Sequence, residues 1–251
     1  MAKPHHLNNA PIREALIDLR VTPKSGLTFD ELQAAIAGEF AGYHDKGPIF
    51  QQILAVRVDM DTQSHGTSHD SRKVGLRLHS ADERYVVQCQ IQGFTLSRLP
   101  PYEDWNHLVA ETRRLWAIYC EALRPQAVIR YAARFINDLQ LPLKAGESYQ
   151  KYLNKLVDLP DGTPQAVSRF LQRFELLDAS RNVNVNLTLA MQSQSFVGGA
   201  PVPVVLDIDC YGQAELSPDS PAIWDRVAQL REVKNESFFG LLTDSAVELY
   251  E

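Results

Sequence analysis

Cysteine is scarce in this sequence. Cys89, Cys120 and Cys210 are far apart, odd in number and form no C-x-x-C pair. That excludes a disulfide framework or a zinc ribbon and predicts reduced, buried thiols in a reducing cytoplasm. Long apolar runs are missing too. No stretch approaches the roughly 18–20 residues that cross a bilayer. The opening Met1-Ala2-Lys3-Pro4-His5-His6-Leu7 holds one lysine and no apolar leader core. Glycine totals 13 and is scattered, so neither a G-x-x-x-x-G-K-[ST] loop nor a G-x-G-x-x-G turn occurs. No G-x-S-x-G elbow is present. A basic excess is lacking as well: the net charge of −6 weighs against a dedicated nucleic-acid binder and suits a protein partner.

What is present is an ordinary globular composition, 45% hydrophobic and 22% charged over 251 residues, enough to bury a sizeable core. Period-2 alternation predicts a strand over 12–21, with Ala15, Ile17, Leu19 and Val21 on one face and Glu14, Asp18 and Arg20 on the other. Thr28 and Glu31 form a capping box for a helix over 29–40. A strand over 49–60 follows, then an exposed loop over 61–71 rich in Ser, His, Gly and Asp. A hairpin of 73–79 with 84–92 comes next, with a further short strand over 93–99. Trp105, Leu108, Val109, Thr112, Leu115, Trp116, Tyr119 and Leu123 keep the rhythm of a buried stripe, which predicts a helix over 102–123.

The order then repeats: strand 127–139, short helix 148–156, strands 167–177, 181–191 and 202–210. A long helical region opens at Pro221 and runs through Trp224, Val227, Leu230, Phe238 and Leu242. Ala10-x-Ile12-Arg13-x-Ala15 matches Ala127-x-Ile129-Arg130-x-Ala132, and Trp105 and Trp224 open the two long helices. The expectation is an α+β protein of two similar β-α-β-β-β-α halves, residues 1–124 and 125–251, packed as one globular unit. Such halves give curved antiparallel sheet with helices on one face, a TATA-binding-protein-like layout. The alternative is a single helix-grip sheet around the last helix. Trp105, Trp116, Tyr119 and Trp224 are expected in the core rather than at a ligand.

Four segments resemble a sporadically distributed family of uncharacterised bacterial proteins of similar length. They are Asn9-Ala10-Pro11-Ile12-Arg13-Glu14-Ala15; Gly93 to Leu99 with Pro101-Tyr102-Glu103 and Trp105; Arg130-Tyr131 with Arg134-Phe135-Ile136-Asn137; and Leu230-Arg231-Glu232 with Asn235 and Phe238. Where the family pattern more often has His, this chain has Arg231. The resemblance implies a shared fold and carries no activity.

Metal ligands are suggested only by His65, His69, Asp70 and His79, which read as loop histidines because flexible segments fix no coordination geometry. Asp207 and Asp209 share a strand face, and two solvated carboxylates are the expectation there. The strongest constellation is a polar sheet face. Arg130 and Arg134 come from one strand and Arg169 and Arg173 from another. Asn182, Asn184 and Asn186 come from a third, and the first half adds Arg57, Lys73, Arg77, Arg84 and three glutamines. Arg forks and amides give directional hydrogen bonds to carboxylates, phosphates or base edges.

The expected function is therefore a non-catalytic interaction protein. It would hold a macromolecular partner, a protein before a nucleic acid, through Arg130, Arg134, Arg169, Arg173, Arg77 and Arg84. A bacterial toxin–antitoxin or defence setting would suit it. No cofactor, metal or membrane is implied, and a homodimer is compatible. The alternatives are an enzyme whose site is assembled from distant residues and a nucleic-acid-binding protein.

Overall fold

The structure is a computed structural model that describes residues 5–59, 64–144, 147–154, 157, 159–164, 167–191 and 201–251, without the side chains of 53–59 and 64–70. The chain is α+β. Its strands are β1 (Ile12–Thr22), β2 (Tyr43–Asp59), β3 (Ser64–Ser80), β4 (Tyr85–Gln90), β5 (Gly93–Arg98), β6 (Ala127–Leu141), β7 (Phe170–Asp178), β8 (Val183–Met191) and β9 (Val202–Leu216). The helices are α1 (Phe29–Ile36), α2 (Trp105–Leu123), α3 (Ala222–Leu241) and the short α4 (Asp244–Val247).

The nine strands form one antiparallel sheet in the order β2-β3-β4-β5-β1-β6-β9-β8-β7. The central pair is β1 with β6, joined from Ile12–Asn137 to Thr22–Ala127 with two bulges. On each side, the strand beside this pair is the last in chain order and the edge strand is the first.

Alternation gives every central strand two faces. Ala15, Ile17 and Leu19 oppose Phe135, Ala133 and Tyr131, and all six are buried. Phe94 meets Trp116 and Tyr119 of α2, and Phe135 meets Trp105 of α2 and Lys234 of α3, so both long helices cover this same face. Trp116 lies stacked on Tyr119 at 5.2 Å and donates through its indole N–H to the Pro218 carbonyl at 2.9 Å. Gly212 lies flat beneath the Tyr131 ring, where any Cβ would collide with it.

Several boundaries differ from expectation. The predicted loop over 61–71 falls, from Ser64 onward, on β3, which pairs with β2 along its length. Residues 60–63 lie outside the described residues. The expected hairpin stands as the end of β3 paired with β4, and the further short strand expected over 93–99 is β5, which gives the first half one more strand than β-α-β-β-β-α. The second half has only a 3-10 turn, Tyr149–Lys151, where a short helix was expected; Lys155 and Leu156 lie outside the described residues. The capping box stands: the Glu31 amide donates to Thr28 Oγ1 at 3.3 Å, and the Thr28 amide donates to Glu31 Oε2 at 2.8 Å. Trp105, Trp116 and Tyr119 are buried, but Trp224 is half-buried under the Arg113 guanidinium.

Candidate functional site

The face away from the helices carries the predicted polar surface. Leu16, Asp18 and Arg20 of β1 stand opposite Arg134, Ala132 and Arg130 of β6, and β9 adds Asp207, Asp209 and Tyr211 in register. These groups satisfy one another. Asp18 is buried and accepts from Thr95 Oγ1 at 2.7 Å, from Arg20 Nε at 3.0 Å and from Arg130 at 3.1 Å. Arg130 also donates to Asp209 at 3.2 Å and lies 4.4 Å from the Tyr211 ring centroid. Arg134 grips Asp207 with both prongs, at 2.8 and 2.6 Å. Burial pushes the Asp209 carboxyl up, and Arg130 pulls it the other way.

Three carboxylates thus face three guanidiniums, and among the described residues the middle of this surface keeps no unspent cation. The remaining predicted residues are scattered. Arg173 lies on β7 with Glu175 at 3.7 Å, and Arg169 is exposed just before that strand. Arg77 is exposed on β3 opposite Gln88, with no ion pair among the described residues. Arg84 sits in the β3–β4 turn beside Asp82 at 3.7 Å. The paired carboxylates Asp207 and Asp209 are the partners of Arg134 and Arg130 and so are less solvated than expected.

The side chains of His65, His69 and Asp70 lie outside the described residues, and His79 bonds Glu83 at 2.5 Å. Among the described residues no group of His, Cys, Asp and Glu is arranged to hold a metal ion. All three cysteines are free, and burial pushes the Cys120 and Cys210 thiols up to about 12.

The helix-covered side holds what sequence reading missed. A cavity of about 380 Å³ opens between residues 5–12, the residues leading into α2, β6 and α3. Its size falls within the range of small-molecule sites. Trp105, Phe135, Phe238 and Phe239 supply aromatic walls, and Tyr102, Asn137 and Arg231 supply polar ones. Asn137 is held in place by donating to the Leu206 carbonyl at 3.0 Å. Residues 5–12 are tied across the opening by the Asn9 amide, which donates to the Tyr250 carbonyl at 3.0 Å. Asn8 adds a bond to the Glu251 carbonyl at 3.2 Å.

At this cavity sits Lys234, 9% exposed. Its Nζ lies 4.0 Å from the Phe135 ring centroid and 6.0 Å from that of Phe238. It makes no hydrogen bond or ion pair among the described residues. Burial first, and then the Arg231 guanidinium one turn away, push the Lys234 amine down to about 7. The Phe135 ring face offsets only part of that cost. Arg231 is exposed, stacks 5.7 Å from the Trp105 ring and has no ion pair among the described residues. Burial raises the Tyr102 phenol well above its ordinary value, so its hydroxyl stays protonated.

Lys234 left a trace in the sequence. It stands one turn after Leu230 and one turn before Phe238, inside the apolar stripe of α3. A lysine in the middle of such a stripe is the signal. Trp105, expected as core alone, also lines the cavity.

Neither a protein-family model nor a curated protein matches the chain. Among the described residues no helix is long and apolar enough to cross a membrane.

Proposed function

We propose that the protein binds a small organic carboxylate with an apolar body in the cavity between residues 5–12, β6 and α3. The observation that carries this reading is Lys234. A nine-tenths-buried amine with no hydrogen-bond or ion-pair partner among the described residues is costly to the folded chain, and buried charges are normally paired. Arg231, uncommitted to any carboxylate among the described residues, supplies a fixed positive charge beside it, and the aromatic walls fit an apolar body. Each of the four segments that carry the bacterial-family resemblance sends residues to this cavity: Ala10 and Ile12, Tyr102 and Trp105, Phe135 and Asn137, Arg231 and Asn235. Titration calorimetry with phenyllactate and benzoate tests the reading. Binding should weaken about tenfold or more in Arg231→Gln, the loss expected for one charge-assisted contact. No binding to the native chain, or equal binding by the variant, sinks it.

A second reading keeps the outer sheet face as a docking surface for a protein partner in the cytoplasm. It is favoured by Leu171 and Leu177, 74% and 61% exposed, which flank Arg173 on the edge strand β7. Leu171→Glu with Arg173→Glu should leave folding intact and dissolve any protein complex made through this face. Complexes of unchanged composition on native purification would remove the reading. The mirrored strand order also supports a chain of two related halves in a TATA-binding-protein-like layout.

A further inference from the structure

We propose that Lys234 is a nucleophile that condenses with the carbonyl carbon of a small 2-oxo acid, whose carboxylate pairs with Arg231. This rests on the reading of the cavity as a carboxylate site and adds a covalent step to it. The geometry points this way for three reasons. First, a nucleophilic amine needs a lone pair that is not held protonated by an ion pair, and Lys234 makes no hydrogen bond or ion pair among the described residues. Second, an amine in an apolar pocket beside another cation sheds its proton near neutral pH, the arrangement that activates lysine for imine chemistry. The Phe135 and Phe238 rings supply the pocket, and Arg231 is the cation. Third, Arg231 stays charged at any working pH, so it can hold the carboxylate while Lys234 reacts.

The chemistry balances without an oxidant or reductant. The Nζ lone pair attacks the carbonyl carbon, the C–O π bond opens, and an amine proton passes to the oxygen to give a carbinolamine. Loss of that hydroxyl with one proton releases water and leaves a C=N bond to Nζ. Return of water reverses the sequence. The Tyr102 hydroxyl lines the same cavity and, kept protonated, can donate a hydrogen bond to the departing oxygen, while the proton that leaves with it comes from solvent water. Binding the carboxylate neutralises Arg231 and so makes the protonated imine easier to hold. The other titratable groups around the amine are Glu103 and Asp104 ahead of α2, His5 and His6 across the opening, and Cys210 on β9.

The test incubates the whole chain with pyruvate or phenylpyruvate and cyanoborohydride near neutral pH, then locates the reduced adduct by peptide mapping. The expected result is one adduct on the α3 peptide at Lys234, formed about tenfold or more faster than on any other lysine, because ordinary lysines are almost wholly protonated there. Lys234→Met should lose the adduct while keeping its circular dichroism. The methyl ester of pyruvate should react more slowly, and that preference for the free acid should vanish in Arg231→Gln. Adducts spread over surface lysines, or unchanged labelling of Lys234→Met, overturn the proposal. Binding of lactate and phenyllactate, which lack the carbonyl, separates the two claims. If these bind but neither oxo acid is trapped, the cavity is a carboxylate site and the nucleophile falls alone. If nothing binds or reacts, both fall.

Discussion

At the residue scale, the two arginine-bearing regions do opposite things with charge. Arg130 and Arg134 are matched to Asp18, Asp209 and Asp207 across the central strands, so their forks fasten β1, β6 and β9 to one another. Lys234 has no such match among the described residues and sits against a phenyl face. This has a consequence for stability with a definite sign. Below about 7 both the folded and the unfolded chain carry the ammonium, and the folded state bears the full cost of burying it. Between about 7 and 10.5 the unfolded chain holds a proton that the folded chain has released. Its larger proton uptake means that stability rises with pH through that window. Lys234→Met, close in volume and apolar, removes the effect. The variant should be more stable than the native chain, most of all near and below neutrality. Its advantage should shrink by about 1.4 kcal/mol per pH unit as pH rises through the window. Urea unfolding of both proteins near neutral and at mildly alkaline pH reads the difference directly. An advantage independent of pH would mean that the amine is not buried as the structure places it.

At the element scale, α2 packs on the sheet through one apolar stripe. Its buried stripe runs from Trp105 to Leu123, and Asp104 caps its first turn by accepting from the His107 amide at 2.9 Å. Trp116 is 4% exposed, between Phe94 below and Tyr119 beside it. Trp116→Ala should therefore cost about 3–5 kcal/mol, the usual loss for a buried aromatic, and denaturant titration measures it. A loss near zero would contradict the packing. This helix was legible in the sequence because its apolar residues keep the 3.6-residue period, and α1 was legible from its capping box. β3 was not. The stretch Ser64 to Ser71 has no apolar alternation, and its pairing with β2 is made by backbone groups that carry no side-chain signature. The cavity was hidden for a different reason. Its walls come from residues 5–12, Tyr102, β6 and α3, and only folding brings them together. The polar face was legible as a set of arginines, but their partners were not, because register decides which Asp meets which Arg. Asp18, read as an outer-face group, is buried since Thr95 and two guanidiniums close over it.

At the scale of the whole molecule, the central pair decides how the chain coheres. β1 and β6 come from opposite halves of the chain, yet they pair along the whole of β1 and most of β6, and their inward side chains share one core. Cutting the chain between Arg124 and Gln126, in the connection from α2 to β6, breaks no strand or helix. Separating the pieces would strip β1 and β6 of partners on one side and expose Ile17, Leu19, Ala133 and Phe135 at once. Trp105 and Phe135 would also part, and with them the cavity, whose walls come from both pieces. Two long apolar edges laid open to water form a template for wrong pairing. Neither piece alone should then unfold cooperatively in denaturant, and each should aggregate or bind a hydrophobic dye. Produced together, they should recombine into a complex of native circular dichroism, because every interface survives the cut except one peptide bond. Size-exclusion chromatography with far-UV spectra distinguishes the outcomes. A cooperative, monomeric transition from residues 1–124 alone would show that half to be an independent domain and would place the cavity at a domain boundary. Failure of the mixed pieces to recombine would show that the covalent link sets the β1–β6 register, which the sheet itself is otherwise expected to fix through Asp18 and Arg130.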